Sequence, residues 1–253
     1  MPGVIVENVS FAGAVEGWFT GRDRSSSRPP IGERGNLSHR RPHRPGELAL
    51  DRARVGHATR TDPSTWHCMR QRHGAEVGVV GPDVPHGTEL RGVDAMITDE
   101  ADRPLVVQVA DCVPVLLATT RAIGVVHAGR RGVAAGVVAA ALQALGQRGT
   151  DVGEVQAVLG PAIGGCCYEV PQVLRASVLA EVPEADAVTT WGTASLDLPA
   201  AVEAQLVTAG VSNIRRAGGC TRCDAQRRWF SHRADPATGR QVGLIVRRGE
   251  AAA

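Results

Sequence analysis

The feature that most constrains this chain runs from Arg103 to Leu145, RPLVVQVADCVPVLLATTRAIGVVHAGRRGVAAGVVAAALQAL. Two short apolar runs, Leu105 to Val109 and Ile123 to Val126, have the length and β-branched content of buried strands. The first leads into Asp111 and Cys112, where Asp111 and Pro114 mark the expected end of regular pairing. The second leads into His127 and a glycine-flanked turn. One helix then follows, with Val133, Val137, Val138, Ala141, Leu142 and Leu145 at helical spacing and Gly146 at its stop. A thiol and an imidazole at two strand ends, beside a helix N-terminus, is a common way to build a catalytic site.

The rest of the chain supplies a frame for that stretch. Alternation and turn residues predict strands over 4–6, 15–20, 75–80, 94–99, 155–159 and 242–246. Residues 47–58 have the composition of a helix. Pro171 opens another, with Val170, Val173, Leu174, Val178 and Val182 on one face, and Asp197 caps a third over 198–209 that ends at Gly210. Strands alternate with helices after residue 105 and the first hundred residues are richer in strand, with no internal repeat or linker. The expectation is one α/β (α+β) domain over residues 1–253, with mixed β-sheets flanked by helices. Gly21 to Pro45, rich in Arg, Ser and Pro, reads as a mobile surface loop or an arginine-rich lid over an anion, and residues 248–253 as a frayed tail.

A net charge of +2 provides no field that would favour nucleic acid or a membrane surface. No apolar run approaches the roughly 20 residues that span a bilayer, and the first residues lack the pattern of a signal peptide. Six cysteines, unevenly spaced, do not form a disulfide framework. The expectation is a cytoplasmic protein whose thiols are core residues, ligands or nucleophiles.

Cys112 alone reads first as an inert buried thiol and only then as a reactive one, and His127 equally as a core histidine or a ligand. Beyond His127, Gly129 and Gly132 permit close backbone approach. The helix start at Gly132, with Arg130 and Arg131 beside it, is a seat for phosphate. His73, beside Gly74 at a turn, completes a His/Cys/His set with spacings of 39 and 15 residues. Such a set suits zinc with a fourth position open, although these spacings are not diagnostic. Cys220-Thr-Arg-Cys223 is a CxxC without the second CxxC of a zinc ribbon, and reads as a structural turn. Core packing is the simplest reading of Cys166-Cys167. All 28 basic residues are arginine, so the proximity of Arg52, Arg72, Arg130 or Arg233 to a motif counts for little.

Five motifs nevertheless occur in one order: Gln71-Arg72-His73-Gly74, Ala110-Asp111-Cys112-Val113-Pro114, His127-Ala-Gly129-Arg130-Arg131-Gly132, Gly160-Pro161-Ala-Ile-Gly164-Gly-Cys-Cys167-Tyr168-Glu169-Val170 and Cys220-Thr221-Arg-Cys223-Asp224. That order, over roughly residues 15 to 246, resembles the laccase-domain family, first labelled multicopper polyphenol oxidases and associated with purine nucleoside phosphorolysis. The resemblance implies a zinc site of His73, Cys112 and His127. It also implies phosphorolysis of adenosine, inosine, guanosine and methylthioadenosine, with adenosine deamination, and inorganic phosphate as co-substrate. Arg52 falls on the family's upstream arginine. Asp111 is a candidate for orienting a ligand or moving a proton, or else caps a turn. Copper is less fitting, because eight scattered histidines with no HxH pair do not make a multicopper set.

This chain departs from the family pattern at Arg130, where relatives carry Trp, at Arg72, at His39-Arg-Arg-Pro-His43 and at His232. The leading expectation is a monomeric enzyme whose partners are purine nucleosides and phosphate. A hydrolase with a Cys112 nucleophile activated by His127 or His73, and a catalytically drifted metal-binding paralogue, are the alternatives.

Overall fold

The computed structural model describes residues 4–23, 34–44 and 46–249. The elements in chain order begin with β1 (Val4–Ser10), β2 (Val15–Asp23), α1 (Glu47–Thr59), β3 (Cys68–Arg70), β4 (Val77–Val79), β5 (Glu89–Arg91) and β6 (Ala95–Thr98). Then come β7 (Leu105–Val109), β8 (Val113–Ala118), β9 (Ile123–Ala128), α2 (Arg130–Ala134), α3 (Val137–Gly146) and β10 (Gln156–Leu159). The last are α4 (Gln172–Leu179), β11 (Asp186–Val188), β12 (Ala194–Leu196), α5 (Leu198–Thr208), β13 (Asn213–Arg216) and β14 (Gln241–Arg247). A four-stranded sheet has the order β1-β2-β14-β7 and a six-stranded sheet the order β13-β10-β8-β9-β6-β4. Two strand pairs, β11-β12 and β3-β5, complete the set. The six-stranded sheet is mixed, with β10–β13 and β4–β6 parallel and its other pairs antiparallel. The expectation of one mixed α/β domain holds.

Period-two alternation sorts the side chains into three cores. Leu105, Val107 and Val109 of β7 face Leu116, Ala118, Ile123 and Val125 across the gap between the two large sheets. On the far side of the six-stranded sheet, Val113, Val115, Leu117 and Val126 pack under α3 and α5 through Val138, Leu142, Leu145, Ala201, Val202 and Leu206. On the far side of the other sheet, Trp18, Val106, Val242 and Leu244 pack with Val55 of α1. β7, β8 and β9 are buried along their whole lengths, as their apolar runs require. No helix among the described residues is long and apolar enough to cross a membrane.

Several expectations change in detail. Pairing does not end at Pro114, because β8 begins at Val113 and Pro114 sits opposite His127. A proline near a strand's start is tolerated, and its carbonyl accepts from Gly160 N–H at 2.8 Å. The single helix after His127 is two, because Gly136 at φ 80° breaks it between α2 and α3. Val173 is 83% exposed and off the buried face, which follows the four-residue spacing of Val170, Leu174, Val178 and Val182. Asp197 does cap α5, accepting from Ala200 N–H at 2.9 Å.

Within the segment 21–45, Gly21 to Asp23 complete β2 and Leu37 is buried with its N–H on the Arg240 carbonyl at 3.0 Å. These parts belong to the packed fold and not to a loose loop; residues 24–33 and 45 lie outside the described residues. The tail is likewise anchored at its start: the Arg248 guanidinium donates to Glu16 and to the Thr59 carbonyl. Residues 250–253 lie outside the described residues.

Candidate metal centre and active site

Three separate elements deliver the three ligands. His127 ends β9, on the face that Ile123 and Val125 present to the gap between sheets. Cys112 sits in the turn between β7 and β8, where the chain leaves the four-stranded sheet and enters the six-stranded one. Asp111 turns the chain there with φ 87°, an unusual angle for a residue with a Cβ. His73, also at positive φ, follows β3. Gln71 fixes that approach by exchanging two hydrogen bonds with the Gln108 backbone on β7, at 2.8 and 3.1 Å.

The ligand atoms of His73, Cys112 and His127 all lie within 4.8 Å of one another. Cys112 Sγ is 3.7 Å from His73 Nε2, and the two imidazoles meet edge to face with centroids 4.7 Å apart. Gly129 permits this closeness. A Cβ there would lie 2.6 Å from the His73 ring and 3.1 Å from Cys112 Sγ.

The residue that organises the set is Asp94, which no local pattern in the chain singles out. Fully buried, it accepts from the backbone N–H groups of Arg72, His73 and Gly74 at 2.8–3.1 Å, and from His127 Nδ1 at 2.8 Å. Burial opposes its ionisation, but the His127 and backbone donors outweigh that and hold the carboxyl at about 2. With Nδ1 bonded to a carboxylate, His127 offers Nε2 as its free donor atom, the arrangement that orients histidine ligands of metals. Burial also opposes the Cys112 thiolate and the His127 imidazolium. Their mutual attraction, with help from His73 for Cys112 and Asp94 for His127, pulls the thiol down and the imidazole up. Two imidazoles and a thiolate-prone thiol with one face open fit zinc, with room for a fourth ligand.

The set opens on a pocket of about 310 Å³, at the low end of ligand sites, about 300–1,000 Å³. Arg130, Arg131, His232 and Arg233 line its polar side, and Tyr168, Ile163 and Leu198 its less polar one. Arg233 lies over the Tyr168 ring at 5.0 Å. Burial raises the Tyr168 phenol, against the pull of Arg130 beside it. Tyr168 thus provides an aromatic wall beside Arg130.

Other expected site residues fall elsewhere. Arg52 does not line the pocket; its guanidinium donates to the Leu37 carbonyl at 3.2 and 2.9 Å, tying α1 to the 34–44 segment. Gly132 is buried inside α2 and packed on the Gly74 carbonyl; the helix starts at Arg130 behind its N-cap Gly129, and only Arg130 and Arg131 of that group reach the pocket. Asp111 lines the pocket with both carboxylate oxygens engaged, by Thr221 Oγ1 at 2.5 Å and Arg233 N–H at 2.6 Å, an anchoring position for a residue expected to be catalytic. Arg72 faces a separate hollow with Arg70 and Arg91.

Residues 16–248 match the family model described as multi-copper polyphenol oxidoreductase laccase. The chain belongs to that family. Among relatives of this laccase-like chain, a purine nucleoside phosphorylase of Streptomyces coelicolor is 43% identical over 79% of this chain and 83% of its own length. One from Streptomyces griseus is 39% identical over 90% and 92%. In three dimensions, the YfiH protein of Bacillus licheniformis superposes with a TM-score of 0.84 at 26% identity, covering 97% of each chain. YlmD of Geobacillus stearothermophilus gives 0.83 at 29%, covering 93% of each.

Proposed function

We propose that this chain is a zinc-dependent purine nucleoside phosphorylase acting on adenosine, inosine, guanosine and methylthioadenosine, with adenosine deaminase capacity. The observation that carries this reading is the meeting of His73, Cys112 and His127, with His73 and Cys112 lining a pocket that Arg130, Arg131 and Arg233 also line. The names of the Streptomyces relatives support the reaction class.

In phosphorolysis a phosphate oxygen attacks the ribose C1′ as the glycosidic bond breaks, its electron pair leaving with the purine. Arg130 and Arg131 hold the phosphate by charge-assisted hydrogen bonds. The Tyr168 ring and Ile163 give the purine a flat apolar wall. Asp94 keeps His127 in one tautomer and orientation, and Asp111 holds the wall of the pocket by its bonds to Thr221 and Arg233. His73, Cys112 and His127 would hold the zinc, which would supply Lewis acidity at the pocket. The same reading treats the whole chain as one catalytic domain, a cytoplasmic monomer whose partners are small molecules.

Purified zinc-replete protein given adenosine and phosphate yields adenine, ribose 1-phosphate and inosine on chromatography, and Cys112→Ala abolishes them. Absence of product from the wild type, or undiminished turnover in the variant, overturns the proposal. The lowered Cys112 thiol beside His127 favours one rival, a cysteine-nucleophile hydrolase. Loss of one zinc per chain in His73→Ala relative to wild type removes that rival.

A further inference from the structure

A second cluster lies outside the pocket. The loop after β10 carries Cys166 and Cys167, and the loop after β13 carries Cys220 and Cys223. β10 and β13 are parallel neighbours, so both loops leave the same end of the sheet. They are stitched by a bridge between Ala162 and Cys220, with Thr221 N–H on the Ala162 carbonyl at 3.0 Å. The turn closed by Cys167 and Tyr168 N–H on the Gly164 carbonyl sets the vicinal cysteines side by side.

The four Sγ atoms all lie within 4.8 Å of one another, and Cys166 and Cys223 are 3.7 Å apart. Four thiolates around zinc at about 2.3 Å require sulfur–sulfur edges of about 3.8 Å, whereas a disulfide requires about 2.0 Å. Backbone N–H groups of Gly164, Cys223 and Arg222 point at Cys220 Sγ, the Gly164 nitrogen at 3.4 Å. Thiolates in closed metal sites are commonly stabilised by such outer donors. The nearby carboxylate, Asp224, is occupied by Arg228 at 3.1 Å, which leaves an all-sulfur donor set suited to a soft or borderline cation. Cys167 is buried and Cys223 exposed, so a cation can enter from solvent.

We propose that Cys166, Cys167, Cys220 and Cys223 bind a second zinc ion in a closed, four-thiolate structural site. Binding makes four zinc–sulfur bonds and releases the thiol protons to solvent, with no change of oxidation state. The CxxC finds its missing half in a vicinal pair more than fifty residues earlier in the chain. The site clasps the two loops that shape the pocket: Thr221, inside the CxxC, bonds to Asp111, and Tyr168 follows Cys167 directly.

The test is elemental analysis of the purified full-length chain, its Cys220→Ser/Cys223→Ser variant and His73→Ala, each saturated with zinc and desalted. The double variant is expected to carry one zinc per chain fewer than wild type, and His73→Ala to keep the zinc that the double variant loses. Equal zinc in wild type and the double variant overturns the proposal, as does a thiol count in denatured, unreduced wild type that shows a Cys166–Cys223 disulfide. A second measurement does not depend on the loop variant folding. Cobalt(II) added to His73→Ala/Cys112→Ala, which lacks the pocket thiol, is expected to give the intense sulfur-to-cobalt absorption of a tetrahedral thiolate site, and its absence overturns the proposal. Neither readout depends on nucleoside turnover.

Discussion

The two clusters are built on opposite plans. The His73/Cys112/His127 set draws each ligand from a different strand end, and one fully buried carboxylate bonds to two of the three segments concerned. The four cysteines come from two loops at one end of the sheet, and their nearest outer partners are backbone N–H groups. The first faces a pocket and includes only one sulfur; the second is all sulfur, with Cys223 at the surface. An open position, mixed donors and a rigid support suit a group that must meet substrate. A closed set of one soft donor type suits a group that only holds chain segments together.

Asp94 is where the comparison is most easily broken. Asp94→Asn keeps the shape but not the charge, and zinc affinity at the pocket site is expected to fall about 10–100-fold; Asp94→Ala, which strands three part-buried backbone donors and the buried His127, is expected to cost roughly 3–5 kcal/mol in denaturant unfolding. Unchanged zinc affinity in Asp94→Asn would mean that the carboxylate serves the backbone turn alone.

His67 sharpens the contrast from another side. It is as buried as His127, yet neither ring nitrogen has a hydrogen-bond partner, and burial, then Arg103 and His86, push it down to about 4. A folded value below the unfolded one means that the unfolded chain binds the extra proton. Stability is therefore full above the unfolded value near 6.5 and falls as pH drops toward 4, by up to about 3 kcal/mol. Urea unfolding at stepped pH should show this slope, and His67→Phe should reduce it; an unchanged slope in the variant assigns the acid loss to another group. The smallest effect is expected at Arg131, which is exposed at the pocket. Arg131→Ala should raise the KM for phosphate by about three- to tenfold, roughly 1 kcal/mol, with little change in kcat.

The sequence made legible what depends on local pattern. β7 and β9 follow from apolar runs, and α5 from Asp197 and Gly210 at its two ends. The ordered motifs, through the family they resemble, point to His73, Cys112 and His127 as one set, and the fold brings their ligand atoms together. What depends on convergence was hidden. Asp94 reads as an ordinary residue before a strand until residues 72–74 and His127 arrive around it. β8 was obscured by Asp111 and Pro114, because a positive φ lets the chain turn and resume pairing at once. The break at Gly136 was masked because Val133 and Val137 keep helical spacing across it.

Cys112 lies at the crossing point from one large sheet to the other, with β7 on one side of it and β8 on the other. A sliding of the two sheets by a fraction of a strand repeat would carry the thiol away from His127, which is fixed in only one of them. Catalytic competence in this chain therefore reports on the alignment of the whole sandwich. A change that shifts the sheets against each other is expected to cost activity before it costs the fold.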